Sequence, residues 1–186
     1  IRNWHYVGTE ELSTAEIIIH SSFAYATVLP AVLSTTEYFN TFSRLNRSSR
    51  QLWKLQIPQP RTYAIASWLG GSITLGLATL WPEVLFPLVW IAPLFVIIGL
   101  RYLLEGKTVF SVLSHGNWQP VLLPALAALC CGFFWELWNV KSFAHWEYSV
   151  PYVQAFHLCE MPLLGYAGYL PFGLVCLTIA DLLPGT

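Results

Sequence analysis

Glu16 and His20 stand four residues apart in TAEIIIHSSF, and that spacing on a helix places a carboxylate and an imidazole on one face. Glu136 and Asn139, three apart in FFWELWN, share a face in the same way. His157, Cys159 and Glu160 fall within one short stretch. Glu16, His20, Glu136, Asn139, His157 and Glu160 form the candidate polar pocket, provided the segments that carry them adjoin. Carboxylate and imidazole ligands together suit zinc or non-haem iron. The same groups could relay a proton or act as a general acid on a lipid. They could equally pair with one another where the chain meets water. Cys159 is the weaker ligand, because its thiol must first deprotonate. Axial haem ligation needs two histidines on facing helices. Only His20 lies well inside an apolar stretch, so a haem would have to sit near a surface between His20 and His157. No metal is assigned, and the cofactor stays open.

The elements that position these residues follow from composition. The chain has 186 residues, 55% of them hydrophobic and 10% charged; a soluble domain carries about 25% charged residues. In water such a chain would expose large apolar patches. In lipid, stretches of about 20 apolar residues span the hydrocarbon with their backbone groups satisfied inside each helix. Nine Trp and nine Tyr suit the headgroup level. The net charge of −1 and the lack of a basic patch with interleaved aromatics exclude a nucleic-acid partner. Of the four Cys, Cys130, Cys131 and Cys176 lie in apolar stretches, and no CxxC pair or disulfide framework is present. HExxH, Walker A and GxSxG motifs are absent.

Five spans are predicted, over 14–33, 63–81, 86–104, 120–139 and 161–183. Ser67 and Gly71, then Ser72 and Gly76, are small pairs that permit close helix approach on the second. Pro30, Pro87, Pro93 and Pro171 are expected to bend or interrupt the spans they occupy. Arg44, Arg47, Arg50, Lys54 and Arg61 fall in the loop after the first span, and Arg101 and Lys107 follow the third. With five crossings these share one side, which the positive-inside rule makes cytoplasmic. The basic loop reads as an orientation signal on anionic lipid, or as a docking surface. Arg2 and Lys141 fall on the other side. The aromatic segment 141–160, interrupted by Pro151, is expected along the outer interface as an anchor or as a shelf for a lipid or pigment. The opening IRNWHYVGTEEL lacks the pattern of a signal peptide. We expect 1–186 to be one transmembrane domain, the C-terminal part of a longer chain.

NWHYVG leads to FAYATVLPAV, and HWEYSV leads to LGYAGYLPFG. Each is an aromatic surface segment followed by a descending span containing Pro. In this topology the two would be parallel repeats. The stretches NWHYVG, FAYATVLPAVLSTTE, FFWELWN and CEMPLLGYAGYLPFG also resemble a family of uncharacterised bacterial polytopic membrane proteins, over nearly the whole chain. The resemblance implies architecture, with a further helix ahead of the NWHY segment, and no chemistry. Such proteins tend to carry an acid just after the LPFG-like segment, where this chain has Val175.

The expected protein is therefore all-α: a polytopic helical membrane protein of about five transmembrane helices with a parallel internal repeat. It would lie in a bacterial inner membrane, N-terminus outside and C-terminus inside. Its expected role is an accessory or structural subunit, with the lipid bilayer and other membrane subunits as partners. The alternative is an enzyme or binding protein acting on a lipid, isoprenoid or pigment at the outer leaflet through Glu136 and Glu160. A small transporter ranks third, because few polar groups lie in mid-span. Glu136, flanked by aromatics near the end of its span, needs a hydrogen-bonding partner. That partner is expected at residues 157–161 or on the face carrying Glu16 and His20.

Overall fold

A capping box opens the first apolar segment. Ser13 Oγ accepts a hydrogen bond from the Glu16 amide, and the Glu16 carboxylate accepts one from the Ser13 amide at 2.9 Å. The computed structural model describes residues 3–56, 60–150 and 155–182. Residues 57–59 of the basic loop and 151–154 of the aromatic segment, Pro151 included, lie outside the described residues, as do 1–2 and 183–186. From the cap, α1 (Thr14–Ala26) runs into α2 (Val28–Asn40) across a single break at Thr27. Pro30 is the third residue of α2, where a missing N–H goes unnoticed because no carbonyl inside that helix awaits it. Together they form one apolar segment, Thr14–Asn40, which continues past the expected end at residue 33.

After α3 (Ser43–Ser49) comes α4 (Pro60–Leu80), then α5 (Pro82–Val89) and α6 (Ala92–Glu105). The third expected span, 86–104, is thus not one helix. α5 and α6 meet at a bend of 50°. Pro93, the second residue of α6, cannot donate into the preceding turn, and its ring excludes a continuous ladder there. Pro87 lies within α5. Next are a 3-10 turn over Val109–His115 and α7 (Gln119–Asn139). The last expected span, 161–183, begins as a strand and a 3-10 turn, Leu163–Gly168, before α8 (Tyr169–Ala180). Among the described residues, four helical segments are long and apolar enough to cross a membrane, and five are if the bent pair counts as one.

The all-α expectation needs amending. Strands β1 (Trp4–Val7) and β2 (His145–Tyr148) pair antiparallel. β3 (His157–Leu158) and β4 (Met161–Pro162) form a second, minimal pair. Periodicity could not reveal β1 and β2, because each is four residues long and its partner lies at the far end of the sequence.

Two packing units are built on small residues. Val32, Ala127, Ala128, Cys131 and Cys176 form a buried core among α2, α7 and α8. A Cβ on Gly173 would collide with the Pro124 carbonyl, and one on Gly132 with the Tyr169 ring, so α7 and α8 meet almost backbone to backbone. In the other unit, a Cβ on Gly71 would lie 2.9 Å from the Ala92 carbonyl, and one on Gly99 would lie 2.7 Å from that of Ala64. Ser67 donates its hydroxyl to the Phe95 carbonyl at 2.9 Å. Of the two small pairs expected on α4, Ser67 and Gly71 thus serve the contact with α6. Gly76 meets nothing within 4 Å among the described residues.

The helices run end to end between two caps. At one cap Gln119, which opens α7, donates to Asn40 at 2.6 Å and accepts from Arg50 Nε at 2.7 Å. The Trp118 indole donates to the Trp53 carbonyl at 2.8 Å, which docks the basic loop here. Arg101 on α6 ties the end of α8 to the same region through Asp181 at 3.0 Å. The opposite end of α7 carries Glu136, Asn139 and then the β1–β2 pair.

Candidate functional site

Glu136 is fully buried on the last turn but one of α7. Its Oε1 accepts three hydrogen bonds: from the Tyr148 hydroxyl at 2.7 Å, the Tyr169 hydroxyl at 3.2 Å and the Trp146 indole at 3.3 Å. Trp146 and Tyr148 alternate along β2 and so project from the same face of the strand. Tyr169 is the first residue of α8. One carboxyl oxygen therefore joins three elements. Oε2 is buried and has no hydrogen-bond partner among the described residues.

One turn later, Asn139 does for the backbone what Glu136 does for the side chains. Its Oδ1 accepts from the Trp146 amide and its Nδ2 donates to the Trp146 carbonyl, each at 2.8 Å. The amide side chain thus copies the edge of a neighbouring strand and fixes β2 against the helix end. β1 then covers β2: Trp4 pairs with Tyr148, His5 with Glu147 and Tyr6 with Trp146. The Tyr6 and Trp146 rings meet edge to face at 6.4 Å. The Ser149 amide donates to the carbonyl of buried Asn3 at 2.9 Å, extending the pairing. His5 and His145 both approach the Glu147 carboxylate, at 3.6 and 3.4 Å, but this group is largely solvated and contributes little to stability.

Burial, with the Glu136 carboxyl beside it, pushes the Tyr148 phenol far above its usual range. That phenol stays protonated and available as a donor at any physiological pH. Tyr6 is raised too, by burial and by its hydroxyl contact with Tyr25 at 3.2 Å.

Of the six residues expected to share a pocket, Glu136 and Asn139 meet through Trp146, and Glu160 interacts electrostatically with Glu136, among the described residues. Glu16 is exposed and occupied by its own helix cap, and His20 Nδ1 is 2.7 Å from the Glu16 carbonyl one turn back. No hydrogen bond or ion pair joins either to Glu136 among the described residues. His157 is exposed on β3, opposite Pro162, and Glu160 sits half-buried in the turn that follows. Cys159 holds a left-handed backbone conformation there, φ 58°, so its place is set by the turn. No three His, Cys, Asp or Glu residues gather to hold a metal among the described residues. The expected contact of Glu136 also moves. Its hydrogen-bond partners among the described residues are on β2 and at Tyr169, and Glu160, in the expected 157–161 stretch, lies close enough to interact with it electrostatically. The sequence signal for the β2 partners was the alternation W-x-Y in HWEY: two aromatics with polar tips on one strand face, the complement of a carboxyl in an aromatic stretch.

No family model, curated protein or solved structure matches this chain. Three donors on one oxygen make a tie between elements. They converge on Oε1 of a carboxyl that is fully buried.

Beside this tie lies a cavity of about 280 Å³ between α5, β2, the 3-10 turn before α8 and the start of α8. Its walls include Phe86, Trp90, Met161 and Leu164, with Tyr148 and Tyr169 at the edge shared with Glu136.

Proposed function

We propose that the chain is an integral membrane accessory or structural subunit of a bacterial membrane complex, held in the cytoplasmic membrane with its β1–β2 cap outside. The observation that carries this reading is the use made of Glu136. The one fully buried carboxyl among the described residues is spent on joining α7, β2 and α8, the economy of a scaffold. α1 supports the same reading. It is apolar, yet none of its residues is buried, with Ile18 60% and Phe23 75% exposed. A long apolar face of this kind suits lipid and neighbouring subunits. The basic cluster from Arg44 to Lys54 and Lys141 stand at opposite ends of α7, as the positive-inside orientation requires.

The internal repeat belongs to the same proposal. Aligning NWHY with HWEY makes Trp4 equivalent to Trp146, and Tyr6 to Tyr148. In the observed register each Trp pairs with the other copy's Tyr, about a centre at His5 and Glu147. Two equivalent segments related by a local two-fold pair in this way.

The competing readings have less behind them. An enzyme working through Glu136 and Glu160 needs an accessible carboxyl, and Glu136 is enclosed. A transporter needs polar groups along its path. The buried polar residues Asn3, Ser49, Glu136, Asn139 and Thr178 all sit near the ends of the helices, and Thr178 turns its hydroxyl back to Leu174 at 2.8 Å.

The test is purification at native abundance in mild detergent, with a photo-crosslinking residue at Ile18 or Phe23. A stoichiometric membrane partner, crosslinked through α1, is the expected result. A monodisperse lone chain with no adduct would overturn the proposal.

A further inference from the structure

We infer that the outward face of α3, which carries Arg44 and Arg47, forms with the exposed aromatic rings that flank it in sequence a docking surface for anionic phospholipid heads. The inference rests on the reading of the chain as a membrane protein. It needs neither the subunit role nor a particular orientation.

The rotation of α3 is fixed by its neutral side. Asn46 Nδ2 donates to the backbone carbonyl and to the side-chain oxygen of Asn40, the last residue of α2, each at 2.8 Å. Ser49 is buried, and its carbonyl accepts from the Trp118 amide, just ahead of α7, at 2.8 Å. Asn46 and Ser49 stand three apart and share a face, so α3 lies with that face against the ends of two apolar helices. Arg44 and Arg47, also three apart, then fall on the opposite side. Both are exposed, as is Lys54 beyond the helix. No ion pair joins any of the three to an acid among the described residues. Arg50 differs, because its Nε is committed to Gln119. Of the acids near this end, Glu105 and Asp181 are bound to Arg101, and Glu37 is exposed on the last turn of α2. The face keeps a net positive charge.

Charge alone would suit any anion, and the aromatic residues decide between them. Tyr38 and Phe42, just ahead of α3, are 61% and 44% exposed, and their rings meet edge to face at 5.0 Å. Trp53, beyond α3, is 63% exposed, with its carbonyl held by the Trp118 indole. These rings stand where the apolar helices α2 and α7 end, the depth at which aromatic belts lie. A lipid surface meets both features at once, with the rings at the acyl boundary and the guanidiniums among the phosphates. A soluble acidic partner would meet only the second. Arginine also suits the phosphate itself, since its planar fork can hold two oxygens together. Each cation beside an anionic surface strengthens binding about fivefold.

The test offers the detergent-purified chain dioleoyl phosphatidylglycerol and dioleoyl phosphatidylcholine at equal concentration and counts the retained lipids by native mass spectrometry. The expected result is roughly tenfold or more phosphatidylglycerol over phosphatidylcholine, from two cations at about fivefold each. Arg44→Gln with Arg47→Gln should bring the two lipids level. The unfolding temperature of the lipid-free chain should hold, because neither side chain makes a hydrogen bond or ion pair among the described residues. Either substitution alone should lower the preference about fivefold, which keeps the test decisive if the pair fails to fold. Lys141→Gln, at the opposite end of α7, should leave the preference intact. No preference in the unaltered chain, a preference that survives the double substitution, or one lost equally with Lys141→Gln would each overturn the inference. So would tighter binding of an oligoglutamate peptide, which would assign the face to a soluble acidic partner. An alkaline carbonate wash separates the two readings. A chain stripped from membranes by it fails the membrane reading itself, whereas a chain that stays and shows no lipid preference fails this inference alone.

Discussion

Tyr148 on β2 and Tyr169 at the head of α8 donate their hydroxyl protons to the same oxygen, Glu136 Oε1, at 2.7 and 3.2 Å. Among the described residues no backbone hydrogen bond joins β2 to α8, and the acid between the two tyrosines links strand to helix.

Replacing that acid separates shape from hydrogen bonding. Glu136→Gln keeps an oxygen for the three donors, whereas Glu136→Leu strands them, at about 1–3 kcal/mol for each buried donor left unsatisfied. The leucine variant should therefore unfold at markedly lower temperature in detergent than the glutamine variant. Equal losses would mean that Glu136 matters only for its volume.

Asn139 makes a narrower prediction. Asn139→Asp keeps the acceptor for the Trp146 amide but removes the donor to the Trp146 carbonyl, and Asn139→Leu removes both. Amide hydrogen exchange at Trp146 should rise modestly in the first and strongly in the second. Because β1 is built on β2, protection in β1 should fall with it. Unchanged protection at Trp146 in the leucine variant would refute the role assigned to this side chain.

The glycines give a contrast within one fold. Gly173→Ala sets a methyl against the Pro124 carbonyl, a backbone atom that cannot swing aside, and should lower stability by about 1–3 kcal/mol. Gly76→Ala meets open space and should be neutral or slightly stabilising, since alanine favours helix. Reversible unfolding in detergent compares the two directly. A Gly173→Ala variant as stable as Gly76→Ala would show that α7 and α8 do not pack this closely.

Orientation is tested by single cysteines at Arg47 and Lys141, with the four native cysteines replaced. An impermeant maleimide applied from outside should label the Lys141→Cys chain and spare the Arg47→Cys chain. Labelling of both from one side would break the topology.

Hydropathy located the long apolar segments because each needs only its own residues to declare itself. The prolines expected to interrupt them stand just after breaks: Pro93 follows the 50° bend between α5 and α6, and Pro30 lies three residues after the break at Thr27, but the size of each bend depends on position in the turn, which composition does not reveal. For Glu136, the need for a partner was legible from its aromatic setting. The partner was not, because β1 and β2 are too short to show a period and lie far apart in sequence. Glu16 and His20 looked like a pair for the same reason that Glu136 and Asn139 did. Spacing along a helix says which residues share a face, not whether that face turns inward.

The pairing of β1 with β2 also sets an order of assembly. Trp4 reaches its partner Tyr148 only when 144 more residues have been made. At about 5–20 residues per second, that leaves β1 alone on the order of ten seconds. Throughout that wait its edge carries unpaired amides and aromatic side chains, a template for pairing with the wrong strand. The closing of this cap is then a late step of assembly and one exposed to error. A chain halted before residue 145 should be the form that quality-control proteases find first.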